Sequence, residues 1–287
     1  YYRDQTFMMS INQLTPDQFF AQLYAHTDIK KDPHSGGRQM NCHFGTRLLN
    51  ENGDWKTQTD MKNSVSDISC VSGQMPRIVG LAYASKLYRN NKNLSDMENF
   101  SINGNEVVFG TIGDASTSEG HFWEAINACG VLQVPLVMSI WDDGYGISVP
   151  SEYHTTRNDL SKALSGFQRS SKKENGYEIF TVHAWDYINL LKTYQKAEKL
   201  AREDHVPCII HVKDVTQPQG HTTSGSHERY KSKERLNWEK DFCCIKRMRE
   251  WIIENNFASN SEIDIIEKNA DEIAKKSRDR SWKSYRD

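Results

Sequence analysis

A chain of 287 residues with 37% hydrophobic and 26% charged residues is long enough for a large core and too apolar for a disordered polymer. Its formal net charge of -2 offers nothing to nucleic acid or an anionic membrane. No apolar run approaches the roughly 18 residues of a membrane span, "IVGLAYA" and "VPLVMSIW" being the longest candidates, so a soluble protein is expected. Six cysteines (Cys42, Cys70, Cys129, Cys208, Cys243, Cys244) occur without a CxxC pair, which argues against a zinc knuckle and predicts reduced, mostly buried thiols.

The first residues, "YYRDQTFMMS", carry neither an initiator Met nor a signal-peptide pattern, and Tyr1 reads as the start of an excerpt. "TPDQFFAQLYAH" predicts a helix with Thr15 as N-cap and Pro16 at the first helical position. "DPHSGGRQMNCHFGTRLLNENGDW" has no steady period and predicts a long irregular loop, a kind of segment that is more often functional than idle. "QMPRIVGLAYASKLYRN" predicts a second helix, whose small residues Gly80, Ala82, Ala84 and Ser85 suggest burial against another backbone.

An alternation follows: strand "EVVFGTI", a helix from Ser118 to about Leu132, strand "PLVMSIW", a long loop, strand "YEIFTVHA", a helix from Asp186 to about Glu203, and strand "PCIIHVKDV". Apolar strands joined through helices predict an α/β fold, a parallel sheet with helices on both faces. From Asn237 onward the pattern is helical and charged. The expected division is therefore residues 1–236 as an α/β domain with an N-terminal helical segment, and 237–287 as a C-terminal helical extension of it.

Two of the apolar runs stop at acidic residues, Asp114 and the pair Asp142–Asp143, at the strand ends where open parallel sheets bind ligands. Aspartate is common at strand-end turns, so this pair alone does not define a site. Ser116 with Glu119 three residues later has the pattern of a capping box, and the helix start it predicts would favour an anion near residues 116–118. The glycines of "DDGYG" permit a sharp turn that aims a backbone carbonyl, such as that of Tyr145, at the site. Two carboxylates, a carbonyl and a helix start suit Mg²⁺ bridged to a phosphate group.

These residues carry a resemblance. "GDAS" followed by "DDGYGIS" resembles the thiamine diphosphate motif. With "YYRDQ", "GGRQMNCHFG", "ISCVSGQMPRIVGLAYASK" and "QPQGHTTSGS", the chain is similar along nearly its whole length to the alpha subunit, or alpha half, of the thiamine-dependent component of 2-oxo acid dehydrogenase complexes. The resemblance implies the thiamine diphosphate-binding fold and thiamine diphosphate with Mg²⁺ as cofactors. It matches Asp114, Asp143 and the Tyr145 carbonyl to the metal ligands. It matches Gly113, Asp114, Ala115 and Ser116 to the diphosphate turn, Tyr2 and Arg3 to the pair beside the cofactor, and Ser69 and Val71 to the aminopyrimidine contacts. His221 matches the catalytic histidine of a mobile loop. Val71 would serve equally as core, and His43 in "NCHFG" takes no assigned role.

There are departures from the family pattern. Ala115 stands where the motif has Gly and needs a backbone conformation that tolerates a methyl. Asp143 stands for Asn and adds negative charge beside a polyanion, which Arg3, His221 and the helix start would have to offset. The resemblance implies oxidative decarboxylation of a 2-oxo acid, nearer to branched-chain-type relatives through "GRQM" and "YGIS", with the acyl unit passed to a lipoyl-bearing acyltransferase. A beta-type subunit, or a downstream half of the same polypeptide, would complete the site. The expected location is cytoplasmic, or the mitochondrial matrix in a eukaryote. Two alternatives stay open at this point: a transketolase-like transferase, and a non-catalytic assembly subunit with the same fold.

Overall fold

The computed structural model describes residues 4–39, 41–65, 70–217 and 226–287. In chain order its main elements are α1 (Asp4–Ser10), α2 (Pro16–Leu23), α3 (Met75–Asn90), β1 (Val108–Gly113), α4 (Gly120–Leu132), β2 (Leu136–Trp141), β3 (Tyr145–Gly146) and β4 (Val149–Pro150). They continue with α5 (Leu160–Ala163), β5 (Glu178–His183), α6 (Tyr187–Asp204), β6 (Cys208–Lys213), α7 (Lys233–Asp241), α8 (Cys244–Glu254) and α9 (Asn260–Arg286). Two compact units divide the chain. One gathers Tyr1–Ser69, Met97–Ser101 and Asn256–Asp287; the other holds Cys70–Asp96 and Ile102–Asn255. Contacts thus split the stretch after residue 236, sending α7 and α8 with the sheet and α9 with the N-terminal segment.

In the larger unit the four expected strands pair in the order β1-β2-β6-β5, every pair parallel. The central strands β2 and β6 are buried along nearly their whole length, as strands covered on both faces must be. Successive side chains point to opposite faces, and the core divides accordingly. Leu136, Met138 and Ile140 of β2 join Ile209 of β6 against α3 and α4, through Ile78, Phe122 and Ile126. Val137 of β2 joins Cys208, Ile210 and Val212 of β6 against Ala197 and Ala201 of α6. Each fully buried aliphatic or aromatic side chain contributes about 1.5–3 kcal/mol. Asp186 caps α6, its side chain accepting from the Asn189 amide.

The expectation for α3 holds in part. It buries Met75, Ile78, Ala82 and Ser85 on one face, while a Cβ built at Gly80 meets nothing and Leu81 is 44% exposed. Ala82 and Ser85 are thus buried as expected, and the Gly104 backbone lies so close to α3 that a built Cβ would collide with the Ser85 carbonyl, whereas Gly80 is not explained by packing within this chain. The cysteines also differ from expectation: all six are free thiols, yet only Cys129 and Cys208 are buried, and Cys70 is exposed.

In the smaller unit Thr15 and Gln18 form a capping box at the start of α2, and Ser259 and Glu262 another at the start of α9. Asp17 of α2 accepts from Arg280 Nε at 2.9 Å and Nη2 at 2.8 Å, and this guanidinium holds its carboxyl below the usual range against a smaller opposing effect of burial. The long loop is irregular as expected, with one isolated bridge between Leu49 and Trp55. Buried Asp32 organises it by accepting amide hydrogens from His34, Ser35 and Gly37. Among the described residues no helix is long and apolar enough to cross a membrane.

Candidate functional site

The parallel register of β1 on β2 places Gly113 opposite Trp141, so the chains leave the sheet side by side with Asp114 next to Asp142. The Asp114 amide still donates to the Trp141 carbonyl at 3.3 Å, and the Asp142 amide to the Val212 carbonyl of β6 at 2.9 Å. Residues 28 positions apart in sequence are thereby neighbours at the carboxyl edge. Asp114 is 4% exposed, and its Oδ2 has no hydrogen-bond partner. Its carboxyl is pushed up to about 9, first by burial and then by the charges of Asp142 and Asp143.

Asp142 sits in a different environment. Burial opposes its ionisation, but the imidazole of His211, donating from Nε2 at 2.7 Å, outweighs that and holds the carboxyl below its usual range. His211 is fully buried on β6, and its Nδ1 lies 2.6 Å from Ser161 Oγ of α5. The other Asp142 oxygen accepts from the Gly144 amide at 2.9 Å, and Asp143 Oδ1 accepts from the Tyr145 amide at 3.1 Å. Both aspartates therefore cap the backbone two residues on, which builds the tight turn of "DDGYG". Gly144 takes φ +79 within it, a conformation that favours glycine.

Two cations pack on this turn from a quarter that the sequence did not indicate. Arg235 of α7 donates to the Asp143 carbonyl at 2.9 Å, and buried Lys231 lies 4.8 Å from the centre of the Tyr145 ring. Glu239 accepts from both, at 2.7 Å from Lys231 and 2.9 Å from Arg235. The sequence showed Arg235 and Glu239 at helical i,i+4 spacing, but nothing in it aimed them at the turn. His211 did carry a signal, as a lone imidazole inside an apolar strand that needed a buried partner. His154, in the polar stretch "SEYHTTRN", carried none. It places Nε2 4.0 Å from Asp114 Oδ2, and neither atom has a hydrogen-bond partner.

The turn after Asp114 overturns the expected capping box. Asp114 is in the right-handed helical region and opens a 3₁₀ turn over Ala115–Ser118, so Ser116 lies inside the turn and not at an extended N-cap. The helix proper begins at Gly120 after Glu119, whose side chain makes no cap. The Ser116 carbonyl instead accepts from Ser72 Oγ at 2.7 Å, and Thr117 Oγ1 donates to the Asp114 carbonyl at 2.6 Å. Ser72 follows Val71, which is 54% exposed; this rejects the core alternative for Val71 and ties its segment to the Asp114 turn.

Ala115 is tolerated because of a residue on the other turn. A Cβ built on Gly146 would lie 2.8 Å from Ala115 Cβ, so one position of this pair must lack a side chain. Gly113, in contrast, has only Ser116 Oγ near a built Cβ, at 3.9 Å. Gly146→Ala is expected to destabilise the protein by about 1–3 kcal/mol through overpacking, and Ala115→Gly in the same chain to recover most of it. Denaturant unfolding of the two single variants and the double variant checks this; additive losses would refute the contact.

Of the residues singled out in the sequence, Gly113, Asp114, Ala115, Ser116, Asp143 and Tyr145 come together at this edge. Tyr2, Arg3, Ser69 and His221 lie outside the described residues. Among the described residues no three His, Cys, Asp or Glu side chains form a ready-made metal centre. A divalent cation nevertheless fits the donors present. It would satisfy the partnerless Asp114 oxygen and neutralise the mutual repulsion of the carboxylates, with main-chain and ligand oxygens completing its shell.

Comparison with known proteins gives the following. A family model described as "Dehydrogenase E1 component" matches residues 1–284. The chain is 28% identical over 206 residues to pyruvate dehydrogenase E1 component subunit alpha of Rickettsia bellii, a match covering 71% of this chain and 56% of that one. It is 25% identical over 238 residues to human mitochondrial 2-oxoisovalerate dehydrogenase subunit alpha, covering 82% of this chain and 44% of that one. It thus spans about half the length of these relatives. A transketolase structure from Campylobacter jejuni aligns with a TM-score of 0.40 and 16% identity, over 67% of this chain and 26% of the other.

Proposed function

This chain belongs to the dehydrogenase E1 component family, and we propose that it is the alpha part of a thiamine diphosphate- and Mg²⁺-dependent enzyme. It would decarboxylate a 2-oxo acid oxidatively and pass the acyl unit to a lipoyl group on a partner acyltransferase. The observation that carries this reading is Asp114, a buried carboxylate with one partnerless oxygen, standing beside two further carboxylates at the carboxyl edge of a parallel sheet. The names of the relatives, alpha subunits acting on pyruvate or 2-oxoisovalerate, support the reaction class. They do not separate the acyl chains, and the branched-chain assignment rests on "GRQM" and "YGIS".

In this reading Asp114, Asp143 and the Tyr145 carbonyl hold Mg²⁺, and Gly113, Ala115 and Ser116 with Tyr2 and Arg3 hold the diphosphate. Ser69 and Val71 prop the aminopyrimidine ring. When bound, the thiazolium ring supplies the electron sink for the carbanion left by loss of CO₂. The chain's own task is to position that group, exclude water and manage charge. Asp142, pinned by His211 and the Gly144 amide, keeps the turn in shape, while Arg235 holds the Asp143 carbonyl and Lys231 packs on the Tyr145 ring. His221 would hold and deliver a proton, on a cytoplasmic enzyme or, in a eukaryote, one of the mitochondrial matrix.

His221→Ala is expected to keep the fold and lose at least about a hundredfold in turnover, the scale of a positioned acid or base. Wild-type turnover would leave His221 as a surface residue. The overall reading is tested by calorimetry with thiamine diphosphate and Mg²⁺ on the assembled protein, followed by assays on branched 2-oxo acids, pyruvate and sugar phosphates. Turnover of sugar phosphates alone would favour a transketolase-like enzyme, and absence of cofactor binding a non-catalytic assembly subunit.

A further inference from the structure

We infer that His154 supplies a nitrogen ligand to the divalent cation seated on Asp114, so that the site is a mixed oxygen and nitrogen site. The inference rests on the cation reading above and adds a residue to it. His154 Nε2 and Asp114 Oδ2 face each other at 4.0 Å, and each is buried without a hydrogen-bond partner. The side chains are 14% and 5% exposed, so both polar atoms have left water with nothing in exchange, a costly arrangement unless a guest lies between them.

The separation is too long for a direct hydrogen bond and close to twice a metal–ligand bond of about 2.0–2.2 Å. The surrounding charge selects the sign of the guest. With Asp114, Asp142 and Asp143 converging, an anion in the gap would be repelled, whereas a cation is attracted by the carboxylates and accepted by an imidazole lone pair.

The ring is also held as a ligating histidine is usually held. Its Nδ1 lies 2.9 Å from Thr155 Oγ1, which leaves Nε2 as the nitrogen facing the site. The His154 carbonyl accepts from Ser118 Oγ at 2.9 Å, linking it to the Asp114 turn. The ring lies against Gly146, where a built Cβ would come 3.6 Å from Cδ2 and 3.8 Å from Nε2. A nitrogen donor favours Mn²⁺ and later first-row ions over Mg²⁺, which prefers oxygen. His154 is thus a specificity-determining residue for the cation.

The test uses the protein in its native assembly, grown with ring-¹⁵N-labelled histidine, stripped of metal and reloaded with Mn²⁺ and thiamine diphosphate. Pulsed electron paramagnetic resonance is expected to show a ¹⁵N coupling to bound Mn²⁺ that disappears in His154→Gln and in His154→Asn. Mn²⁺ affinity is expected to fall roughly tenfold in these variants, with Mg²⁺ affinity falling less. Mn²⁺ that binds and depends on Asp114, yet shows no histidine coupling or keeps it in both His154 variants, overturns the nitrogen ligand and leaves the cation site standing. Should Mn²⁺ fail to bind, or bind equally well to Asp114→Ala, both the inference and the cation reading fall. The coupling in the unsubstituted protein decides the matter even if a variant does not fold.

Discussion

Asp114→Ala is expected to abolish Mg²⁺-dependent binding of thiamine diphosphate, because it removes the one carboxylate, among the described residues, whose buried oxygen has no other partner. The same substitution should alter the cation-free protein in the opposite sense. The Asp114 carboxyl sits at about 9 in the fold, against about 3.9 in an unfolded chain. Between those values the folded protein keeps a proton that the unfolded chain has lost. This group's contribution to stability is therefore complete below about pH 4 and declines as pH rises toward 9. Asp114→Ala lacks that proton, so its stability in the absence of cation should fall less steeply over this range. Since the cation needs the carboxylate, its affinity for the unsubstituted protein should tighten with rising pH and its binding release a proton. Calorimetry in buffers of different ionisation enthalpy measures the proton, and denaturant unfolding at pH 6 and pH 9 measures the stability. Normal cofactor binding by Asp114→Ala would remove the metal assignment.

The second large effect concerns the partner. The isolated 287-residue chain is expected to show neither steady decarboxylation nor tight cofactor binding, and to gain both with a beta-type subunit or the downstream half of its own polypeptide. The resemblance implies that the carboxylate needed at the aminopyrimidine ring comes from a second domain facing this one. The surface of α3 is consistent with such an arrangement: Leu81, Tyr83 and Leu87 are 44%, 39% and 38% exposed, and Gly80 has open space where a Cβ would be. A glycine on this outward face suits close approach by another backbone. Reconstitution with and without the partner, followed by release of CO₂ from labelled 2-oxo acids, measures the effect. Steady activity from the isolated chain would overturn the shared site.

The order of strands and helices, the parallel sheet and the carboxylates at its edge were legible in the sequence. Each rests on a local signal: apolar runs of six or seven residues, helices with capping residues such as Thr15 and Asp186, and turns rich in Asp and Gly. The resemblance supplied roles for Asp114, Asp143 and Tyr145 for the same reason, since a motif is contiguous in the chain. Local signals failed where a competing local structure used the same residues. Ser116 and Glu119 have the spacing of a capping box, but Asp114 begins a 3₁₀ turn two residues earlier and draws Ser116 into it.

Everything that depends on residues far apart in the chain was decided by the tertiary structure. The in-register pairing of β1 with β2 sets Asp142 beside Asp114, and β6 then brings His211, 69 positions beyond Asp142, to hold it. Arg235 reaches the Asp143 carbonyl from 92 positions away, and Gly146 makes room for the methyl of Ala115. Charge compensation and steric fit act through space at a few ångströms, and no periodicity or spacing along a chain encodes them. The chain by itself therefore determined which chemistry its strand ends could hold. Folding determined which of the three carboxylates was left with a buried oxygen and no partner.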